Sequence, residues 1–237
     1  MVEAGQFAGG GFAGGQGGHY GQALLAVAQV GMDGFAGDRR VSPDAQQIVD
    51  ELESQAEAFP ESVEVVDPAL GAGGKAIRPA LVLLSARAAG GTAETALPAA
   101  VAVELAHNFS LLHDDLMDGD LLRRHRPTTW AVFGGNAALL AGDALLACAF
   151  EAVAKTRHPA ATQTVRILAR AVLDLVEGQS TDMAFERRAD VTLPECLAMA
   201  ANKTAALLGG ACAIGAAHGS GPEGRVDHFH RFGQRKN

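Results

Sequence analysis

Cysteine is scarce in this sequence. Only Cys148, Cys196 and Cys212 occur in 237 residues, and their spacing fits neither a zinc site nor a disulfide framework. Free cysteines are among the most buried residue types, and they persist as thiols in reducing compartments. We therefore expect all three to be small core residues of a cytoplasmic protein.

Basic residues are fewer than acidic ones, and long hydrophobic runs are lacking. The 19 Lys and Arg residues are outnumbered by 27 Asp and Glu residues, which gives a formal net charge of −8. Because nucleic-acid binding requires a basic surface, nucleic acid is excluded as a partner.

The longest apolar run, 205–217, is too short and too glycine-rich for a membrane span. No secretory leader pattern opens the chain, so we predict a soluble protein without stable membrane insertion.

Alternating strand patterns bounded by hairpin turns are also absent, and helical spacing of apolar residues recurs instead. Ser42 is a suitable N-cap, and Pro43 suits the first position of a helix. The spacing predicts a helix from residue 42 and further helices over 78–89, 98–118, 137–155, 160–186 and 193–217. Several of them are apolar nearly all round, which indicates burial in a bundle. The predicted fold class is all-α.

The first 41 residues differ in composition from the rest. They are glycine-rich and of low complexity. Packing of such segments cannot offset the conformational entropy that the backbone loses on ordering. We predict a disordered extension over 1–41 and one helical domain over 42–237.

An acidic cluster lies near the end of the predicted helix 98–118. Asp114 and Asp118 are four residues apart, so their carboxylates share one helix face, and Asp115 lies a quarter-turn away. A hard divalent cation such as magnesium, held by one or two carboxylates plus substrate phosphates, would offset the repulsion between them. The alternative is a solvated acidic turn at a helix end.

Basic residues flank this cluster on both sides in the sequence. Adjacent arginines, Arg123 and Arg124, follow it, and the planar forks of arginine match phosphate oxygens. Lys75 and Arg78, three residues apart, precede it after a glycine-rich turn. His107 lies two helical turns before Asp114, a position where a core histidine is the common alternative. The combination predicts a receptor for two diphosphate groups.

These motifs resemble those of the trans-isoprenyl diphosphate synthases, also called polyprenyl synthetases. The resemblance covers residues from about 68 to 233 and rests on five stretches in the family's order, "GGKAIRP", "ELAHNFSLLHDDLMDGDLLRRHRPT", "GDALLACAF", "EGQSTDMAFE" and "NKTAALLGGACAIGAA". It implies an antiparallel helical bundle of the isoprenoid synthase type around an apolar cavity, usually dimeric.

The resemblance also implies roles for individual residues. The diphosphate of isopentenyl diphosphate would be bound by Lys75, Arg78, His107 and Arg124. Magnesium on the allylic diphosphate would be held by Asp114 and Asp118, with Asp115 supporting them. The further substrate-binding residues would be Arg123, Lys203, Thr204, Gln179 and Asp182. The reaction would be a head-to-tail condensation, in which Mg²⁺ and the cationic side chains stabilise the departing diphosphate.

Product length is expected to depend on residues just before the aspartates. In the family, bulky side chains there stop chain growth, and Phe109 and Ser110 occupy those positions here. The resemblance implies a short-chain product, the C20 compound geranylgeranyl diphosphate, with C10 or C15 left open. A helical wheel places Ser110 below Asp114 and Phe109 well to one side, so the geometry does not by itself assign the block to Phe109.

The sequence departs from the family's pattern at two points. Ala76 replaces an arginine usual between Lys75 and Arg78, and no second aspartate-rich motif follows before the chain ends at "HFHRFGQRKN". We therefore expect a bundle incomplete at its C-terminus. Three alternatives stay open: a non-catalytic partner subunit that forms a heterodimer with another synthase, an inactive fragment of a prenyl diphosphate synthase, and a class I terpene cyclase.

Overall fold

The computed structural model describes residues 77–219 and 225–234. Lys75, Ala76, the predicted extension 1–41 and the helix expected from residue 42 lie outside these ranges. The described helices are α1 Ile77–Ala88, α2 Ala93–Asp118, α3 Thr129–Phe133, α4 Gly135–Ala154, α5 Ala161–Phe185, α6 Leu193–Ala200, α7 Ala206–Ala217 and α8 Arg225–Gln234. A π-helical turn, Ala201–Ala205, joins α6 to α7.

Helix α2 is the centre of the fold. Its N-cap is Thr92, whose side chain accepts a hydrogen bond from the Thr95 amide, and it ends at Gly119, which adopts a left-handed conformation with φ 71°. Apolar residues cover nearly its whole circumference, as expected of a helix buried on all sides, and the fully buried residues Val101 and Leu105 belong to the core. The aspartates of its last turns are therefore anchored to a rigid element.

Helix α7 packs against α1 on one side and against α5 on another. Its close approach to α1 depends on Gly215, because a Cβ at this position would overlap the Val82 carbonyl oxygen and lie 2.7 Å from Ser85 Cβ. Helix α4 packs along α2, and α8 packs along α7. The core therefore lies between α1, α2, α4, α5 and α7.

The prediction of an all-α fold is confirmed, with differences in detail. Helix α2 begins five residues before the predicted start at 98, because its cap is Thr92. The expected continuous α-helix over 193–217 is interrupted by the π turn. The prediction of no strands was wrong for one short hairpin, in which β1, Leu122–Arg123, pairs antiparallel with β2, Arg126–Pro127.

The expectation about membrane-spanning runs also needs correction. The apolar run 205–217 belongs to a longer helical segment, Leu193–Ala217, of 25 residues. This segment, α2 and α4 are each long and apolar enough to cross a membrane by length and composition alone. In the fold, 72% of the apolar window of α2 and 50% of the windows in the other two are buried against the rest of the protein.

Candidate functional site

The last two turns of α2 present Asp114 and Asp118 towards α5 and the π turn. The Gln179 side chain of α5 donates from Nε2 to Asp118 Oδ1 at 3.2 Å. Burial, together with the charges of Asp118 and Asp115, raises the pKa of Asp114 to about 6, although the positive charge of Lys203 opposes the rise. Two carboxylates thus share one face, as the four-residue spacing predicts.

The oxygen atoms at this face fit a magnesium ion that is also bound by a substrate. Gln179 is 4% exposed, and its Oε1 is buried without a hydrogen-bond partner in the described part of the chain. Over residues 77–219 and 225–234, no group of three or more His, Cys, Asp or Glu side chains could hold a metal. Magnesium commonly takes only one or two protein carboxylates and completes its shell with water and phosphate oxygens, so two aspartates are sufficient for this type of site.

Lys203 supplies the positive charge opposite the aspartates. Its Nζ lies 2.6 Å from Asp182 Oδ2. Burial lowers the pKa of Lys203, but the hydrogen bond to Asp182 and the charges of Asp114 and Asp118 outweigh it, so the pKa is raised overall. Lys203 therefore stays protonated among three carboxylates. Thr204, the next residue, is exposed on the π turn.

Asp115 does not belong to the shared face. Its carboxylate is buried, and Oδ1 accepts from Arg123, at 2.6 Å from Nη2 and 2.7 Å from Nε. Burial raises the pKa of Asp115, and the Arg123 hydrogen bond opposes that rise. The contact fixes Arg123 beside the acidic face and gives Asp115 a supporting position.

The hairpin that carries the arginines has an unusual turn. Arg124 and His125, at its tip, have positive φ angles of 51° and 68°, a region that non-glycine residues rarely occupy. Behind the hairpin, Thr128 Oγ1 and Trp130 Nε1 both donate to the Asp120 carbonyl oxygen at 2.7 Å. These two bonds tie the hairpin to the end of α2.

A second basic site lies about two turns before Asp114, towards the N-terminus of α2. Arg78 of α1 donates from Nη1 to His107 Nε2 at 3.0 Å. Burial, followed by the charges of Arg78, Arg123 and Arg124, lowers the pKa of His107 to about 3, so His107 is neutral and accepts. Glu104, one turn earlier, is buried and offsets the charge of Arg78. Arg78 Nε is buried without a hydrogen-bond partner in the described ranges.

The two candidate chain-length residues lie on different sides of α2. Phe109 is buried with its ring edge-on to His113, the two centroids 4.8 Å apart, and His113 Nε2 lies 3.0 Å from the Leu139 carbonyl oxygen of α4. Ser110 is also buried, one turn before Asp114, and donates to the His107 carbonyl oxygen at 2.7 Å. The Phe109 ring is thus directed towards α4.

The structure brings together Asp114, Asp118, Gln179, Asp182 and Lys203, and it places Arg78 beside His107. The sequence analysis assigns no role to two further groups that support these side chains, namely Glu104 and the pair formed by Thr128 and Trp130. Glu104 could have been found as a lone carboxylate in an apolar stretch. The contacts of the others join segments that are separate in the sequence and leave no local signal.

Known proteins resemble this chain closely. A (2E,6E)-farnesyl diphosphate synthase of Mycobacterium tuberculosis is 54% identical over 143 residues, covering 60% of this chain and 40% of that protein. A geranylgeranyl diphosphate synthase of the same organism is 46% identical over 166 residues, covering 70% of this chain and 47% of that protein. The chain thus spans less than half the length of these two curated relatives.

Solved structures share the fold. A geranylgeranyl pyrophosphate synthase superposes with a TM-score of 0.75 at 36% identity, covering 83% of this chain and 61% of that one. A polyprenyl synthetase from Streptomyces coelicolor A3(2) superposes with a TM-score of 0.67 at 40% identity, covering 90% of this chain and 60% of that one. These likenesses confirm the all-α isoprenoid synthase fold. Because the polyprenyl synthetase family model matches residues 60–235, about three quarters of the sequence, the chain belongs to the polyprenyl synthetase family.

Proposed function

We propose that this chain catalyses the magnesium-dependent head-to-tail condensation of isopentenyl diphosphate with an allylic diphosphate, giving a short-chain prenyl diphosphate. The observation that carries the proposal is the position of Lys203 among Asp114, Asp118 and Asp182. Carboxylates beside a fixed cation are what a diphosphate with its magnesium ions requires. The names of the curated relatives, farnesyl and geranylgeranyl diphosphate synthases, support the same class of reaction.

Asp114 and Asp118 would hold the magnesium, with the unpartnered Oε1 of Gln179 as a nearby acceptor for its water ligands. When bound, magnesium neutralises charge that develops on the leaving diphosphate. Lys203 adds a fixed ammonium group, and Thr204 adds a hydroxyl on the same turn. Arg123, oriented by Asp115, provides guanidinium N–H groups on the other side of the aspartates.

The bond changes follow from this arrangement. The allylic C–O bond breaks, and the diphosphate leaves with the electron pair. The C4 alkene carbon of isopentenyl diphosphate then attacks the allylic C1, and transfer of a proton from C2 to the released diphosphate restores a double bond. Lys203 and Arg123 stabilise the negative charge that develops on the departing diphosphate. The apolar surroundings of α2 keep water away from the allylic carbocation that its departure leaves.

Isopentenyl diphosphate would occupy the second basic site. Arg78 and His107 are held in contact by a hydrogen bond, and the buried Nε of Arg78 provides a further donor. Lys75 and Arg124 would complete this site, as the family resemblance implies. A neutral His107 suits this site, since it accepts from Arg78 and adds no repulsion between cations.

We further propose that the product is C20, with C15 or C10 as the alternatives, and that Phe109 and Ser110 limit its length. Both side chains are buried on the turns of α2 that precede Asp114. The names of the relatives include both C15 and C20 synthases, so identity does not choose between them.

We also propose a cytoplasmic dimer, homodimeric or formed with another synthase subunit. Exposed Leu139 and Leu140 on α4 support an apolar contact with a second subunit. The acidic composition argues against nucleic acid as a partner. The extensive burial of α2 within the bundle argues against membrane insertion of this helix.

The experiment is a two-substrate assay of the 237-residue chain. Isopentenyl diphosphate is combined with C5, C10 or C15 allylic diphosphate in the presence of magnesium or EDTA, and products are separated by chain length. We expect a prenyl diphosphate only with magnesium. Folded protein that gives no product with any primer would contradict the proposal and favour a non-catalytic subunit. Turnover of an allylic diphosphate without isopentenyl diphosphate would favour a cyclase.

A further inference from the structure

Gly178 lies on α5 one helical turn before Asp182, directly against the π turn. A Cβ at this position would overlap the backbone nitrogen of Lys203, and it would lie 2.7 Å from Lys203 Cα and 2.9 Å from the carbonyl carbon of Asn202. These are backbone atoms, which cannot rotate aside as a side chain can. The missing side chain of Gly178 therefore sets how closely the π turn approaches α5.

The same approach brings Lys203 to its charged partners. Gly178 and Asp182 are four residues apart, so they lie on one face of α5. Lys203, whose backbone touches Gly178, extends along that face until its Nζ reaches Asp182 Oδ2 at 2.6 Å. From there it also interacts with the charges of Asp114 and Asp118 across the site.

The π turn contributes to this placement. A π turn holds one more residue than a regular helical turn, and such turns are frequent at functional sites. Here it spans Ala201–Ala205 and carries Lys203 at its middle position. The wider turn and the absent Cβ of Gly178 together place this lysine.

We propose that Gly178 is a positioning residue: by admitting the π turn against α5, it holds the Lys203 ammonium among Asp114, Asp118 and Asp182. This inference rests on the proposed function in one respect, since the cation is taken to bind the allylic diphosphate. The geometric part, the dependence of the Lys203 position on Gly178, stands by itself.

The chain offers a control glycine at a different contact of α5. Gly210 of α7 also faces α5, and a Cβ there would lie 3.0 Å from the Ala171 methyl group, a side-chain atom remote from the aspartates. Gly210→Ala therefore adds the same methyl group where α5 contacts α7, without touching the π turn.

Gly178→Ala is expected to fold, because the segment that must move is lightly packed. Helix α6 has no buried residue, and Ala205 is the single buried residue of the π turn. The turn can therefore move outward while the core between α5 and α7 stays closed. Circular dichroism of the variant checks this; an unfolded Gly178→Ala would contradict the inference, which confines the change to the π turn.

The test combines crystal structures with calorimetry of the full chain. Inorganic pyrophosphate, with magnesium present, is titrated into wild type, Gly178→Ala, Gly210→Ala, Lys203→Ala and the double variant Gly178→Ala/Lys203→Ala. Loss of a charge-assisted contact predicts pyrophosphate binding about tenfold weaker in Gly178→Ala and in Lys203→Ala. The double variant should be no weaker than Lys203→Ala, because both changes remove the same contact, and Gly210→Ala should bind as wild type does.

The outcomes separate this inference from the proposed function. Undiminished binding by Gly178→Ala, or additive losses in the double variant, would overturn it. If wild type does not bind pyrophosphate, the proposed function fails, and the crystal structure of Gly178→Ala alone decides the inference. A displaced π turn with Lys203 separated from Asp182 supports it, whereas an unchanged contact overturns it.

Discussion

Arg123 binds the buried carboxylate of Asp115 through both Nη2 and Nε, at 2.6 and 2.7 Å from the same oxygen. Of the three aspartates in the motif, Asp115 is thus the one that fixes the following hairpin, while Asp114 and Asp118 remain directed to α5. The acidic cluster therefore has two roles, because helical geometry turns Asp115 towards the hairpin and away from the face that Asp114 and Asp118 share.

Asp115→Ala is predicted to destabilise the protein by about 1–3 kcal/mol, since it removes a charge-assisted hydrogen bond from a buried site. Urea denaturation measures the change in the free energy of unfolding. Asp120→Ala is the control: Asp120 is exposed and contributes its backbone carbonyl to the hairpin, so its loss should cost less than about 0.5 kcal/mol. Equal effects of the two substitutions would contradict the structural role assigned to Asp115.

His125→Gly is predicted to stabilise the protein. His125 has a φ of 68°, where a side chain costs about 1–2 kcal/mol and glycine costs nothing. The greater entropy of glycine in the unfolded chain cancels part of the gain, so a net increase of about 0.5–1 kcal/mol is expected. Thermal unfolding measures it. Arg126→Gly, in β2 of the same hairpin, should lower the melting temperature instead, and a loss of stability in His125→Gly would contradict the strained-turn interpretation.

Phe109→Ala is predicted to lengthen the product. Phe109 is a large side chain buried one to two turns before the aspartates, and its removal opens space on that side of α2. Chromatography of the products from the two-substrate assay gives the chain-length distribution. Leu112→Ala shortens another buried side chain of α2 and controls for a nonspecific loss of packing around this helix. An unchanged distribution in Phe109→Ala would transfer the role to Ser110.

Stability is predicted to fall as pH drops below about 6.5, the ordinary pKa of histidine. His218 is buried, its Nδ1 donates to the Ile214 carbonyl oxygen at 2.9 Å, and its ring stacks on His158 at 4.5 Å. Burial lowers the pKa of His218; the hydrogen bond to the Ile214 carbonyl oxygen opposes this shift, and the neighbouring His158 adds to it. The unfolded chain therefore binds the proton more readily, and protonation of His218 favours unfolding by up to about 1.4 kcal/mol per pH unit. Buried His107, whose pKa is about 3, adds a contribution of the same sign that persists when His218 is replaced.

The measurement is urea denaturation between pH 5 and pH 8, with His218→Gln for comparison. The glutamine side chain does not titrate, so the variant should show a shallower dependence on pH than wild type. Parallel curves for the two proteins would show that His218 is not the group responsible.

Much of the fold could be predicted from the sequence, and the hairpin and the π turn could not. Apolar spacing predicts α1, α4 and α5 to within a few residues, because each buries a continuous apolar stripe. Strands of two residues are too short to show alternation, and Arg124 and His125 are not typical turn residues. The π turn adds one residue to a helical turn, but the apolar pattern over 193–217 shows no break at that point, so the sequence does not reveal it.

For the site, the sequence predicts local relations better than distant ones. The shared face of Asp114 and Asp118 follows from their spacing on one helix. The contact between Lys203 and Asp182 joins residues on different helices, and it is set by the packing of α5 against the π turn. Periodicity carries no information about that packing, so the roles proposed for these residues rest on the family resemblance, and the role proposed for Gly178 rests on the structure.

The most direct test of the central claim is incorporation of radiolabelled isopentenyl diphosphate into prenyl product by wild type and by Asp114→Asn/Asp118→Asn. The double variant keeps the shape of both side chains and removes the charges that would hold magnesium. We predict magnesium-dependent incorporation by wild type and a loss of at least about 100-fold in the variant. Equal incorporation by the two proteins would contradict the claim that this face of α2 is the catalytic centre.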